Sequence, residues 1–339
     1  MKASDSLVCK SLNPMIILRQ LPATQNGLAL VLVLWIVSLL TIMAGSFALS
    51  MRRESSIITG IVSNAQAKSI AESGLAIAEM MLLNPEPNKR WRTDGSVYEM
   101  DFGNAKVRLR LLSESGKIDI NIADQALLQS LMNHAPVEDD EQKNKLVNAI
   151  LDWRDKDDLV HLDGAEKAEY QKAGLSYQPR NKPFQSIEEL QMVLGMDENI
   201  FLWIEDLVTV YSGQPVDLQL ASRNVLEVLP GLEPGVVENF LAARRESALS
   251  GLPTPGFPSG SAQNTVSGQN AIVSVQSEAR LSDGSKTMIN TVIKNSDNPQ
   301  FGPFQILKWQ VGYTNTLSLF TDEMLDLLVM QYAEPEFNN

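Results

Sequence analysis

The stretch Leu28–Leu49 reads LALVLVLWIVSLLTIMAGSFAL, with Gln25-Asn26-Gly27 before it and Met51-Arg52-Arg53-Glu54 soon after it. It holds no charged residue and is long enough to cross a bilayer as a helix. A secretory signal core is shorter and ends at a small-residue cleavage site, whereas here the small residue, Gly27, precedes the apolar run. Past the membrane length the helical period continues. Ile58, Ile61, Ala65, Ala71, Leu75, Ala78 and Leu82 recur at three- and four-residue steps with one gap, and the next proline is Pro85. The pattern predicts one helix over 28–84, with 28–49 transmembrane. A plain signal anchor with a juxtamembrane helix is the competing reading. Lys2, Lys10 and Arg19 before the segment nearly balance Arg52 and Arg53 after it, so charge leaves the orientation open. Cys9 is the sole cysteine, so no disulfide is available downstream.

The rest of the chain is long enough for one large or two smaller cores. The formal charge of the whole chain is −13, a balance that repels nucleic acid and favours cations or basic partner surfaces. Ser96–Phe102, Lys106–Leu112 and Lys117–Ile120 read as strands; Val107, Leu109 and Leu111 alternate with Arg108 and Arg110. From Ile122 to about Ser250 short helical segments follow, including Lys143–Asp155 and Ile200–Val210. A Gly/Pro/Ser-rich loop fills Ser250–Asn270, and strands return at Ala271–Arg280, Lys286–Lys294 and Phe304–Tyr313. The order predicts an α+β fold: a long N-terminal helix and an antiparallel-sheet head with a large all-helical insert. The expected divisions are a leader over 1–27, the helix over 28–84, the head over 85–121 and 265–313, the insert over 122–264 and a tail over 314–339. Two independent domains in series is the alternative. In the tail, Thr321–Tyr332 is predicted as an amphipathic helix docking through Leu325, Leu328 and Val329.

Within the insert, LDWRDKDD at 151–158 and LDGAE at 162–166 crowd carboxylates into a short span. Hard divalent cations take six to eight oxygen ligands, which such a loop can supply, although the spacing is not that of an EF-hand. A solvated acidic helix end is the plainer reading. His134 and His161 are the only histidines, which argues against a zinc or iron cluster. No nucleophile elbow, Walker loop, dinucleotide fingerprint or zincin motif occurs, and the chain reads as non-enzymatic. Ser186–Gly195 and Asn224–Gly231 resemble helix-hairpin-helix units, which bind DNA phosphates at helix N-termini. Here Asp197, Glu198 and Glu233 set the wrong charge there, and Pro234 removes a donor. A membrane-anchored DNA-uptake protein is kept as the alternative function.

Ile150-Leu151-Asp152-Trp153 with Asp155 and Asp157, Gly164-Ala165-Glu166, Tyr170 and Asn181-Lys182-Pro183-Phe184 form a specific central block. Glu189-Leu190, Val193, Gly195, Leu229-Pro230-Gly231 and Ile306-Leu307-Lys308-Trp309 extend it. Together with the N-terminal helix, these residues resemble GspK, the minor pseudopilin family of type II secretion systems. The resemblance implies a bacterial inner-membrane, single-pass precursor with its C-terminal body in the periplasm. It implies cleavage by prepilin peptidase after Gly27 and methylation of Leu28. It also implies a place at the pseudopilus tip with the minor pseudopilins I and J, with H and the major pseudopilin as further candidates, in support of protein export across the outer membrane. In such proteins the acidic segment binds structural Ca²⁺, which points here to Asp155, Asp157 and Glu166, with Asp152 and Asp163 as helpers. Most pilin-like subunits carry glutamate at the fifth mature position, where this chain has Leu32; a capping subunit with no neighbour above it has no use for that charge. The expected assembly surface is Leu32, Ile61, Ala65, Ala71, Leu75 and Ala78, with the small residues allowing close helix approach.

Overall fold

A computed structural model describes residues 26–258, 271–296, 302–312 and 317–329. The leader before Asn26, most of the Gly/Pro/Ser-rich loop and the chain end from Met330 lie outside these residues. The chain divides between Thr59 and Gly60 into two compact units. Helix α1 (Asn26–Leu82) contributes to both.

In the first unit α1 is exposed along its whole apolar stretch, from Leu30 through Leu49. Ser38 and Thr41 donate their hydroxyls to the carbonyls of Leu34 and Val37 at 2.8 and 2.7 Å, which satisfies these two groups within the helix for a lipid environment. Among the described residues this is the one helix long and apolar enough to cross a membrane.

The second unit holds the head and the insert. Strands β1 (Asp94–Phe102) and β2 (Ala105–Ser113) lead into β3 (Ile118–Asp119). The insert then runs through α2 (Gln125–Asn133), α3 (Asp140–Arg154), α4 (Lys167–Lys172), α5 (Glu198–Ile204), β4 (Val208–Thr209), α6 (Arg223–Val228) and α7 (Pro234–Leu249). Strands β5 (Ile272–Leu281), β6 (Lys286–Asn295) and β7 (Phe304–Val311) complete the sheet, and α8 (Asp322–Leu325) follows. Among the described residues the head sheet has the order β1-β2-β5-β6-β7, antiparallel at every step, so strands from both sides of the insert build one sheet.

The lower part of α1 covers one sheet face. Ala67, Ala71, Leu75, Ala78 and Met81 are buried there, most of them in one apolar core with Tyr98, Val107, Leu109, Leu111, Val275, Ile289 and Ile293. Contact is close because Gly74 has no side chain: a Cβ there would lie 2.8 Å from Ser277 Oγ and 2.9 Å from Val107 Cγ1. Ser277 Oγ donates to the Ala71 carbonyl at 2.8 Å, and Ser63 Oγ donates to Asp283 at 2.7 Å in the β5–β6 turn.

This corrects the expected assembly surface. Ala71, Leu75 and Ala78 face the chain's own sheet rather than a partner, while Ile61 and Ala65 are exposed. Periodicity revealed an apolar stripe but not what covers it. A second correction concerns Lys117–Ile120, whose strand β3 pairs in parallel with β4 (Ile118 opposite Val208) and so belongs to the insert. The insert is therefore helical apart from this short pair, and Ile200–Val210 is a helix followed by a strand. In the tail the helix is only one turn. Leu325 is exposed, Leu328 and Val329 dock as expected, and Leu319 and Met324 join them. Val97 N–H donates to Leu327 O and Val329 N–H to Val97 O, both at 2.8 Å, so the tail pairs with the β1 edge.

Candidate metal centre

The insert has its own core, in which Trp153, Tyr170, Phe184, Leu128, Ile150 and Leu190 are buried. Trp153 lies 6.1 Å from Phe184 and 6.0 Å from Tyr170, ring centre to ring centre, and fixes the end of α3. Arg154 donates from both terminal nitrogens to the carbonyls of Ile120 and Ala123. Asn121 and Phe184 exchange two hydrogen bonds, at 2.7 and 3.0 Å. With a left-handed φ of 52°, Asn181 donates its backbone N–H to the Trp153 carbonyl and its side-chain amide to Asp157 O and Asp158 Oδ1. The acidic loop thus hangs on a rigid aromatic base.

Asp152, on the last turn of α3, is fully buried. Its Oδ1 accepts from His161 N–H at 3.1 Å and from the His161 ring, and its Oδ2 accepts from Ala165 N–H at 2.7 Å. These bonds fold residues 156–165 back over the helix end. Gly164 makes this possible, since a Cβ there would strike the Asp152 carboxylate. Asp152, Asp155 and His161 bring ligand atoms within 4.8 Å of one another.

Two carboxylates around this loop each keep one oxygen without a partner. Asp155 Oδ1 and Glu166 Oε1 are buried without a hydrogen bond among the described residues. Glu166 is only 6% exposed, and burial, followed by the charges of Asp152 and Asp155, pushes its pKa up to about 7. Burial and then Asp157 and Asp152 raise Asp155 as well. Asp155 also caps the C-terminus of α3, the negative end of the helix dipole, where a carboxylate is unfavourable. Crowded anions, orphaned oxygens and a helix C-terminus are the surroundings a hard cation relieves.

Of the five residues predicted as ligands, Asp152 and Asp155 converge, and Glu166 stands within their field. Asp157 is exposed, with Oδ1 accepting from Leu159 N–H at 2.9 Å, yet its charge acts on both Asp155 and Glu166. Asp163 is exposed, has a φ of 60° and lies outside the cluster. His161 was missed, because its place depends on loop closure rather than on spacing. At the hairpins, Asp197 occupies one helix N-terminus, accepting from Ile200 N–H at 2.9 Å, and at the other Glu233 stands before Pro234 without a side-chain capping bond.

The segment 105–213, which contains this centre, matches the family model described as type II secretion system (T2SS), protein K. The type II secretion system protein K of Aeromonas hydrophila is 28% identical over 232 residues, covering 60% of this chain and 68% of its own length. That of Pseudomonas aeruginosa is 22% identical over 310 residues, covering 80% and 90%. Over these aligned stretches the chain is similar to type II secretion system protein K. These similarities favour the secretion-system reading over the DNA-uptake alternative. A chain from the crystal structure of the GspK–GspI–GspJ complex of enterotoxigenic Escherichia coli also aligns. It has 17% identity and a TM-score of 0.47, covering 77% of this chain and 99% of that one.

Proposed function

We propose that this protein caps or nucleates the pseudopilus tip in complex with the minor pseudopilins I and J, without catalytic activity. In this reading residues 28–49 span the bacterial inner membrane and the body lies in the periplasm. Prepilin peptidase cuts after Gly27, and Leu28 becomes the methylated N-terminus. The observation that carries the reading is the family-matched segment 105–213, whose aromatic base lies in the core of the insert and carries the acidic loop. Leu32 supports the terminal position, because it places no charge in the membrane segment for a following subunit to neutralise.

The acidic centre takes structural Ca²⁺ in this proposal, with Asp152, Asp155 and Glu166 as the principal oxygen donors and Asp157 from the loop. The orphaned buried oxygens of Asp155 and Glu166 fit such an ion. The cation supplies charge balance that locks the loop against α3.

Co-purification tests the assembly. The exposed Ile61 is the proper probe, whereas Leu75→Asp would bury a charge in the head and cost about 3 kcal/mol or more. Full-length chain with Ile61→Asp is expected to lose pull-down of I and J while its melting temperature stays unchanged. Undiminished recovery of both partners would contradict packing along this face of α1.

A further inference from the structure

The sheet face opposite α1 borders a cavity of about 1030 Å³, closed on its other sides by α7, the segment around Asp206 and the tail. Alternate residues of β2 and β5 point into it, among them Arg110, Leu112, Ser274 and Gln276. Arg110 stands directly opposite Val97 on β1 and Gln276 on β5. Its Nε is buried without a partner, and among the described residues no hydrogen bond or ion pair engages its guanidinium. Asp94, nearby, is already taken by Arg92 at 2.6 and 2.8 Å and by Ser96. Asp206 acts on Arg110 only from beyond ion-pair distance. Gln276 Oε1 is likewise buried and unpartnered.

Such a cationic spot is unexpected in a chain of net charge −13. Arg244, on α7, also lines the cavity and feels the positive charge of Arg92, Arg110 and Arg223. Its own terminal nitrogen is held by the Ala221 carbonyl at 2.6 Å. Arg223 is paired with Glu238. Arg110 is therefore the guanidinium left over. A half-buried guanidinium offers a planar fork that matches a carboxylate, and the neighbouring amide oxygen offers an acceptor beside it. Glu205, Asp206, Glu323 and Asp326 also line the cavity and disfavour a dianion such as phosphate.

We propose that this cavity binds a carboxylate carried next to an N–H donor, the chemistry of a peptide C-terminus or an N-acylated amino acid. Arg110 takes the carboxylate and Gln276 Oε1 accepts the N–H. The site is separate from the acidic centre and does not depend on calcium.

Isothermal titration of the full-length protein in detergent micelles tests this with four probes. They are N-acetylalanine, its C-terminal amide, inorganic phosphate, and a ten-residue neutral peptide with a free C-terminus. The two free carboxylates are expected to bind, and the amide at least about tenfold more weakly. Tighter binding of the peptide identifies a protein C-terminus as the source, and equal binding a small acid. Arg110→Gln is expected to weaken binding about tenfold or more without lowering the melting temperature, because it removes an unpaired half-buried charge. Gln276→Met, which keeps Arg110, should weaken it several-fold, and it decides the matter if Arg110→Gln does not fold. Failure of both carboxylates to bind, equal binding of the amide, a preference for phosphate, or binding untouched by both substitutions would overturn the proposal.

Discussion

Two sets of buried carboxylates differ in one respect. In the head, Glu278 is wholly buried and accepts from Ser318 Oγ at 2.8 and 2.9 Å and from Leu319 N–H at 2.5 Å. Glu114, at the junction with the insert, is paired with Lys117 at 2.8 Å and accepts from the hydroxyls of Thr209 and Ser274. In the insert, Asp155 and Glu166 are crowded against Asp152 and keep buried oxygens without partners. Head carboxylates are satisfied by the chain itself and fasten its pieces: Glu278 the tail, Glu114 the β4 and β5 strands. Asp155 and Glu166 in the insert each keep one oxygen that the chain leaves unmet among the described residues. A buried charge that is fully paired therefore reads as structure, and one left short reads as a binding site.

The comparison breaks most visibly at Glu278. Replacement by alanine strands Ser318 and Leu319 and releases the tail from the sheet, a loss of about 3–5 kcal/mol. Chemical denaturation of the full-length chain should show this loss equally with calcium and with chelator. A calcium-dependent loss would mean that the two regions are not independent.

The pH response sharpens the contrast. Glu166 has its folded pKa raised to about 7 from an unfolded value of 4.5. Its contribution is thus fully present below about 4.5 and is lost as pH rises through 7. Chelated protein should lose stability between pH 5 and pH 8, by at most about 3 kcal/mol from this group. Glu166→Gln should flatten that decline. An unchanged slope in the variant would show that Glu166 is not the group under strain.

A smaller effect is expected at Gly164. A Cβ there pushes on the Asp152 carboxylate and on the His161 carbonyl 3.1 Å away. Gly164→Ala should cost about 1–2 kcal/mol of stability and weaken any calcium response, read by thermal melts with and without the ion. Glu278→Ala should leave that response intact.

Much of this architecture was legible in the sequence, and the illegible parts share a cause. The apolar run 28–49, the alternation in β2 and the crowding of acids at 152–166 are local patterns, and each matches an observed element. What covers a stripe is not local: Ala71, Leu75 and Ala78 looked like a partner face until Gly74 placed them on the chain's own sheet. The parallel pairing of Ile118 with Val208 joins residues far apart in sequence, and no local period announces it. His161 entered the acidic centre, and Asp163 left it, through a loop closure set by Gly164 and Asn181. Glu166 was recognised as acidic, but its isolation became visible only with burial.

The most direct test of the acidic centre is a calcium titration of chelated full-length protein at pH 7.5, followed by thermal unfolding, with Asp155→Asn/Glu166→Gln alongside. The account predicts a stabilisation of the native chain reaching about 2.7 kcal/mol at a hundredfold excess over Kd. The double variant should be at least as stable as the native chain under chelator and should gain nothing from calcium. A native chain indifferent to calcium, or a double variant that responds as strongly, would contradict it.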